Sequence, residues 1–217
     1  TSVYITQDIG TTMLKYKDYN PESMVWVVGD EQNLHFQMLF EILRRLGCSW
    51  AEKLYHLSYG MVNLPSGKMK SREGTVVDAD DLFDEMSNLA YQACVESAGK
   101  NPDLDELKKR GEIIGLGALK FMLLKFNAKT TMTFDPQASV KFEGDTGPYV
   151  QYAAARISSI LRKAADKNLT YDNVDWSILN APAEKALAAK LYFYPNALKL
   201  AGDRRDCSSL TEYLVDL

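Results

Sequence analysis

The chain has 217 residues, of which 46% are hydrophobic and 25% charged, and its formal net charge at pH 7 is −4. This size allows a substantial hydrophobic core and one large or two small domains. No apolar run approaches the roughly 20 residues needed to span a bilayer, and the polar start is not typical of a signal peptide, so we expect no membrane contact. The negative charge disfavours strong non-specific nucleic-acid binding, and any contact with RNA is expected to use a local basic patch.

The three cysteines are widely spaced and form no CxxC pair. An odd, scattered set of this kind is typical of a reducing compartment, and we therefore expect a cytoplasmic protein. Only two histidines accompany the cysteines, so we expect no metal site.

Strand and helix patterns alternate in the first third of the chain. Alternating apolar residues predict a strand at 3–6, followed by a helix over 9–19. A continuous apolar run predicts a strand at 25–28 that is buried on both faces of a parallel sheet. Helical spacing follows over 34–46, and a third strand is predicted over 54–62. This succession is typical of half of a doubly wound nucleotide-binding fold with right-handed crossovers.

Helical patterns dominate the remainder of the chain. Helices are predicted over 80–98 and over 104–126, although each glycine in the second costs about 1 kcal/mol relative to alanine. Another helix starts near residue 149. Two more helices are predicted, one over 183–194 that ends at Pro195 and one from Ser208 onward, which we expect the serine to cap.

A cationic loop lies between the third predicted strand and the next helix. Its sequence is Gly-Lys-Met-Lys-Ser-Arg-Glu-Gly, residues 67–74. Glycine at both ends frees the backbone, while Lys68, Lys70 and Arg72 offer donors for phosphate oxygens. A solvated hairpin tip is the ordinary alternative for such a short charged run.

Three chemically distinctive segments each follow one of the predicted strands. They are Asp8, the Gly29 to Glu31 group and the cationic loop, and we expect them to meet at one edge because parallel strands end there together. Asp8 suits a guanidinium group through two parallel hydrogen bonds, or it caps the following helix. His35 is placed to face a nucleotide, or it is an ordinary core histidine.

Four segments resemble known motifs in a consistent order. Residues 68–72 resemble the KMSKS signature of class I aminoacyl-tRNA synthetases, in the form seen in the arginyl-tRNA synthetase family. Residues 1–8 resemble that family's Y-x-T-x-D segment, residues 29–35 its G-x-x-Q-x-x-H segment, and residues 143–149 its E-G-D-T-G-P-Y segment. The resemblance covers essentially the whole chain, with Lys70 standing where the signature has serine.

The resemblance implies the roles of individual residues in ATP-dependent activation of L-arginine. It implies that Tyr4 and Asp8 bind the arginine side chain and that Gln32 holds the amino acid. Lys68 and Arg72 would act in catalysis by stabilising charge on pyrophosphate together with Mg²⁺. The residues implied to contact ATP are Gly29, His35, Met61, Val62, Lys68, Met69 and Ser71.

The helix that begins near residue 149 carries two different faces. One is an apolar stripe expected to pack, formed by Val150, Ala154, Ile157, Leu161 and Ala164. The other carries Tyr149, Tyr152 and Arg156, which could bind tRNA by stacking and phosphate contacts or could form a packing seam between domains.

The resemblance also implies a domain organisation and a function. Residues 1–75 would be the second half of a Rossmann-like catalytic domain, 76–143 a helical connection, and 144–217 the start of a helical anticodon-binding domain. We expect an α/β protein with an all-α C-terminal region, acting as a monomeric arginine–tRNA ligase on tRNA(Arg). A non-catalytic RNA-binding module and an unrelated nucleotide-binding domain remain alternatives. Because no His-x-Gly-His segment occurs, we expect this chain alone to form no arginyl adenylate.

Overall fold

The computed structural model describes residues 3–65, 78–170 and 174–217. It contains two compact units. The first comprises Thr1–Met61 with Ala128–Met132, and the second comprises Val62–Asn127 with Thr133–Leu217. No helix among the described residues is long and apolar enough to cross a membrane.

The first unit begins with helix α1 (Val3–Tyr19). The strand predicted at 3–6 is therefore wrong. Alternation over four residues is too short to exclude a helical turn, and no glycine or proline separates those residues from the helix that follows. The helix ends at Tyr19, and the next residue, Asn20, has a φ of +41° and an N–H that donates to Tyr16 O at 2.8 Å.

A parallel strand pair with one crossover helix forms the rest of this unit. The strands are β1 (Met24–Gly29) and β2 (Leu54–Tyr59), with register from Met24 opposite Leu54 to Gly29 opposite Tyr59. Between them lie a 3-10 turn (Asp30–Gln32), helix α2 (Asn33–Arg45) and a second 3-10 turn (Ser49–Lys53). This confirms the predicted strand, helix, strand succession from residue 25 onward. The third predicted strand ends at Tyr59 rather than at 62.

The core of the first unit lies between α2 and one face of the strand pair. Its buried members are Phe36, Leu39, Leu43, Ala51 and Leu54, and Trp26 and Val28 of β1 pack against them. The alternate residues Val25 and Val27 are 43% and 64% exposed. The prediction that β1 is buried on both faces is therefore wrong within the described residues, since α2 covers only one face.

The second unit is mainly helical. Its longest elements are the helices α3 (Ala79–Ser97), α4 (Leu104–Leu124), α6 (Gly147–Asp166) and α7 (Pro182–Arg204). The shorter elements of this unit are β3 (Val62–Asn63), α5 (Pro136–Ser139), a 3-10 turn (Trp176–Ile178) and α8 (Ser208–Asp216). A two-residue strand, β4 (Met132–Thr133), begins with the last residue of the first unit and ends with Thr133 of the second. The N–H of Phe134 donates to Asn63 O at 2.7 Å just after the two short strands.

Glycines in α4 allow close packing against α3. A Cβ atom at Gly115 would lie 2.7 Å from the backbone of Met86, and one at Gly111 would lie 2.9 Å from the backbone of Tyr91. The helix is nevertheless continuous from Leu104 to Leu124. The unfavourable helix propensity of these glycines is therefore offset by the contact that they permit between the helices.

Three predictions about the C-terminal helices are wrong. Helix α7 continues through Pro195 and ends only at Arg204. The Ser208 hydroxyl does not cap α8, whose N-cap residue is Cys207, and the first N–H of the helix, that of Ser208, donates to Asp206 Oδ1 at 3.0 Å. The stripe on α6 that was expected to pack is largely open, with Ile157 58% exposed. Helix α6 packs on α4 mainly through its first two turns, where Gly147 approaches Gly117 and Gln151 Nε2 donates to Ile113 O at 3.3 Å.

Candidate functional site

The candidate site in the first unit is centred on a contact between α1 and α2. The Nε2 atom of His35 lies 2.7 Å from Oδ2 of Asp8, although the two residues are 27 positions apart in the chain. The Asp8 side chain is 47% exposed and that of His35 is 25% exposed. A second contact joins α1 to the 3-10 turn before β2, where Tyr16 stacks on Trp50 with ring centroids 4.4 Å apart. Because α1 already begins at Val3, Asp8 is an interior residue of this helix and not the helix cap considered above.

The two histidines have different surroundings. The ring of His35 meets Phe36 edge-on at a centroid distance of 5.4 Å. The ring of His56 lies 4.3 Å from Phe36, and its Nε2 is 3.0 Å from Val28 O. His56 is thus a packed, hydrogen-bonded histidine of the sheet face, whereas His35 reaches from the core to a partly exposed carboxylate. Among the described residues no group of His, Cys, Asp and Glu could hold a metal ion.

The residues predicted to bind arginine lie on two elements beside this contact. Tyr4 is one helical turn before Asp8 on α1 and is 73% exposed. Residues four apart on a helix share a face, so Tyr4 and Asp8 are neighbours on α1. Gln32 ends the 3-10 turn and precedes α2, and its side chain makes no capping hydrogen bond.

The backbone at Gly29 is extended, with φ −56° and ψ 157°, so glycine is not required there for a positive φ. The carboxylate of Glu31 fills the position that a Cβ atom at Gly29 would take. A side chain at residue 29 would thus displace Glu31 rather than the backbone.

The predicted adenine contacts follow the end of β2. Gly60 N donates to Ala128 O at 2.8 Å, and Met132 N donates to Met61 O at 3.0 Å. A Cβ atom at Gly60 would lie 2.7 Å from the backbone of Thr130, so only glycine fits this approach. Met61 is 47% exposed beside it, and Val62 begins β3 in the second unit.

The predicted phosphate-binding residues lie outside the described residues, which end at 65 and resume at 78. They are Lys68, Met69, Lys70, Ser71 and Arg72.

The predicted tRNA-binding residues in the second unit share one exposed face of α6. Tyr149 and Tyr152 are 43% and 51% exposed, and Arg156 Cζ lies 5.7 Å from the centre of the Tyr152 ring. Thr146 fixes the start of this helix, because its hydroxyl oxygen accepts from Tyr149 N at 3.3 Å and its hydroxyl donates to Lys141 O at 2.6 Å. The face is therefore open to a partner at a defined helix start.

Sequence reasoning missed two polar contacts that hold the C-terminal end of α4. Lys125 Nζ lies 3.2 Å from Oδ2 of Asp145, in the segment before α6. Asn127 Nδ2 donates to Asp206 Oδ2 at 2.6 Å, across 79 positions of sequence. No local pattern indicates a pair so widely separated. Burial raises the pKa of the Asp206 carboxyl, but hydrogen bonds from Ser208 and Asn127 outweigh it and leave the pKa below its ordinary value.

Comparison with known families identifies the class of protein. The family model described as tRNA synthetases class I (R), catalytic domain, matches residues 1–136, and the model of the DALR anticodon binding domain matches residues 150–217. The parallel strand pair and the helical C-terminal region thus belong to a class I aminoacyl-tRNA synthetase.

Individual relatives specify the family. The chain is 46% identical to an arginine–tRNA ligase of Treponema denticola and 49% identical to one of Flavobacterium psychrophilum, covering 100% of this chain in both cases. The chain therefore belongs to the arginyl-tRNA synthetase family, which confirms the resemblance seen in its motifs. It spans only 37% and 36% of the length of these two relatives.

Solved structures agree with the predicted fold class. The arginyl-tRNA synthetase of Thermus thermophilus superposes with a TM-score of 0.77 at 32% identity, covering 90% of this chain and 32% of that one. The enzyme from Plasmodium falciparum gives a TM-score of 0.74 at 21% identity, over 99% of this chain and 36% of that one, and shows similarity of fold. An α/β domain followed by a helical region is thereby confirmed.

Proposed function

We propose that the full-length protein is an arginine–tRNA ligase that activates L-arginine with ATP and Mg²⁺ and transfers it to tRNA(Arg). The observation that carries this proposal is the match of one chain to the class I (R) catalytic model and then to the DALR anticodon model. The same chain presents a partly exposed carboxylate, Asp8, in contact with His35 in the first turn of α2. Family membership and the chemistry of that carboxylate therefore support the same substrate.

Arginine recognition would depend on Asp8, supported by Tyr4 and Gln32. A carboxylate and a guanidinium form two parallel charge-assisted hydrogen bonds, each worth roughly 1.5–3 kcal/mol. Tyr4 lies one turn from Asp8 and is exposed, so its ring is available to flank the substrate side chain. Gln32, in the turn after β1, carries both donor and acceptor groups for the α-amino and α-carboxyl groups.

ATP would lie at the same edge of the first unit. Gly29 and Met61 would supply backbone groups there, and Val62, Lys68, Met69, Ser71 and Arg72 stay the further ATP contacts implied by the family motifs. Activation requires the arginine carboxylate to attack the α-phosphate in line, so the reaction depends on positioning and on charge stabilisation of the pyrophosphate. Lys68 and Arg72 are the cations that we assign to this stabilisation.

The tRNA would contact the exposed face of α6. Tyr149 and Tyr152 offer rings on which bases can stack, and Arg156 offers a guanidinium group for phosphate. Arg156 already lies over the Tyr152 ring, so the cation and the stacking surface form a single patch.

Aminoacylation tests this function. The full-length protein, incubated with total tRNA, ATP and each amino acid separately, is expected to charge tRNA with arginine and no other amino acid. Charging with a different amino acid, or a folded protein that binds tRNA without charging it, would overturn the proposal. In the second case a non-catalytic RNA-binding module would become the favoured function. The 217-residue chain assayed alone is expected to show no arginine-dependent pyrophosphate exchange.

A further inference from the structure

His35 is joined to the proposed arginine-binding carboxylate and is also fixed to the hydrophobic core. Its Nε2 atom lies 2.7 Å from Asp8 Oδ2. Its ring meets the Phe36 ring at 88°, and Phe36 itself is only 7% exposed. The imidazole is therefore held from behind by the core, while its other side contacts a carboxylate that is 47% exposed.

The geometry of this contact leaves the carboxylate able to bind a guanidinium group. An ionised carboxylate offers about four acceptor positions on its two oxygens, and an N–H at Nε2 uses one of them on Oδ2. The other positions, including those on Oδ1, suit the two parallel N–H groups of a guanidinium fork. A fork of this kind needs the plane of the carboxylate to be set in advance, because the guanidinium group is itself planar and rigid.

We propose that His35 is a positioning residue that fixes the Asp8 carboxylate for arginine, rather than a contact to the nucleotide. This inference depends on the proposed function. A hydrogen bond from a ring anchored on Phe36 reduces the rotation of a carboxylate on an exposed helix face, so less conformational freedom is lost when arginine binds. Pairing with a fixed second group is a general way in which proteins orient a ligand-binding side chain.

Steady-state kinetics of the full-length protein separate the two roles. His35→Phe keeps an aromatic ring on Phe36 but removes the N–H donor, and it is expected to raise the KM for arginine roughly tenfold while the KM for ATP changes less than about twofold. His35→Gln retains an amide N–H donor and is expected to recover most of the arginine affinity. If His35→Phe does not fold, the split between the two KM values is read from His35→Ala, and His35→Gln remains the variant that should recover the arginine affinity.

A double-mutant cycle with Asp8→Asn tests whether the effect passes through Asp8. In the Asp8→Asn background, His35→Phe is expected to add little to the arginine KM. Additive effects, or an equal rise in the KM for ATP, would overturn the positioning role. His56→Phe is the matched control, because it removes the other imidazole that packs on Phe36, and both KM values are expected to stay within about twofold of wild type.

Failure of the proposed function is read separately, because a wild-type protein that does not charge tRNA with arginine overturns that function before any variant is compared. The cycle then decides the roles of Asp8 and His35. An arginine KM that is unchanged in Asp8→Asn would remove arginine recognition by Asp8, and the positioning role would fall with it. A raised arginine KM in Asp8→Asn together with an unchanged one in His35→Phe would overturn the positioning role alone.

Discussion

The packing of α4 against α3 makes Gly115→Ala a sharp test of the fold. A Cβ atom at residue 115 would lie 2.7 Å from C and O of Met86 and from N of Ser87. Carbon atoms in favourable contact are about 3.5 Å or more apart, so the helices must separate by roughly 0.8 Å. These atoms belong to the backbone and cannot rotate away, and Met86 itself is fully buried.

The expected change in the free energy of unfolding is the packing cost of the added Cβ atom minus the gain in helix propensity. Overpacking of a core typically costs about 1–3 kcal/mol, and a clash with backbone lies near the upper end of that range. Replacing glycine by alanine inside a helix stabilises the helix by about 1 kcal/mol. Gly115→Ala is therefore expected to lower the free energy of unfolding by about 1–2 kcal/mol despite its better helix propensity.

Urea unfolding followed by circular dichroism at 222 nm measures this difference in the 217-residue chain. Gly202→Ala in α7 is the matched control, because a Cβ atom there would meet nothing within 4 Å. That variant is expected to be unchanged or up to about 1 kcal/mol more stable. A Gly115→Ala protein as stable as wild type would show that the two helices are not as close as described.

Three further predictions concern single side chains. Asp8→Asn in the full-length protein is expected to raise the arginine KM by roughly tenfold or more, because the charge that pairs with the guanidinium group is lost, and to leave the ATP KM nearly unchanged. Steady-state kinetics measure both values. An equal rise in the KM for arginine and the KM for ATP would assign Asp8 a structural role. Asp206→Ala removes the acceptor of the first N–H of α8 and of the Asn127 side chain, and should cost about 1–2 kcal/mol of unfolding free energy at pH 7. Since the folded pKa of Asp206 is lowered, this stabilisation is present above the ordinary carboxyl pKa and is lost as the pH falls through the folded pKa. Urea unfolding should therefore show a difference in unfolding free energy between variant and wild type at pH 7 that closes in strong acid. A difference that does not depend on pH would contradict this role of Asp206. Pro195→Ala should stabilise α7 by up to about 3 kcal/mol, because proline inside a helix lacks an N–H donor and crowds the preceding turn. Thermal unfolding measures this, and a melting temperature below that of wild type would show that the proline is needed for packing.

The sequence was sufficient to determine the family and most of the element order. Its four motifs occur in the family's order, and relatives that match along the whole chain confirm the family that they indicated. The strand pair and α2 were also predictable, because helical spacing and apolar runs are local patterns that survive tertiary packing. Local patterns misled at residues 3–6 and at Pro195, where short alternation and a single proline did not prevent a helix.

The specific contacts were decided only by the tertiary structure. Asp8 and His35 were each predicted to contact a substrate, and those roles stay predictions, but nothing in their separation of 27 positions indicates that the two side chains share a hydrogen bond. The glycines of α4 appeared only as weak helix formers until the approach of α3 explained them. Propensity and periodicity act between near neighbours in the chain, whereas a hydrogen bond across two helices or the space for a Cβ atom depends on how distant segments pack.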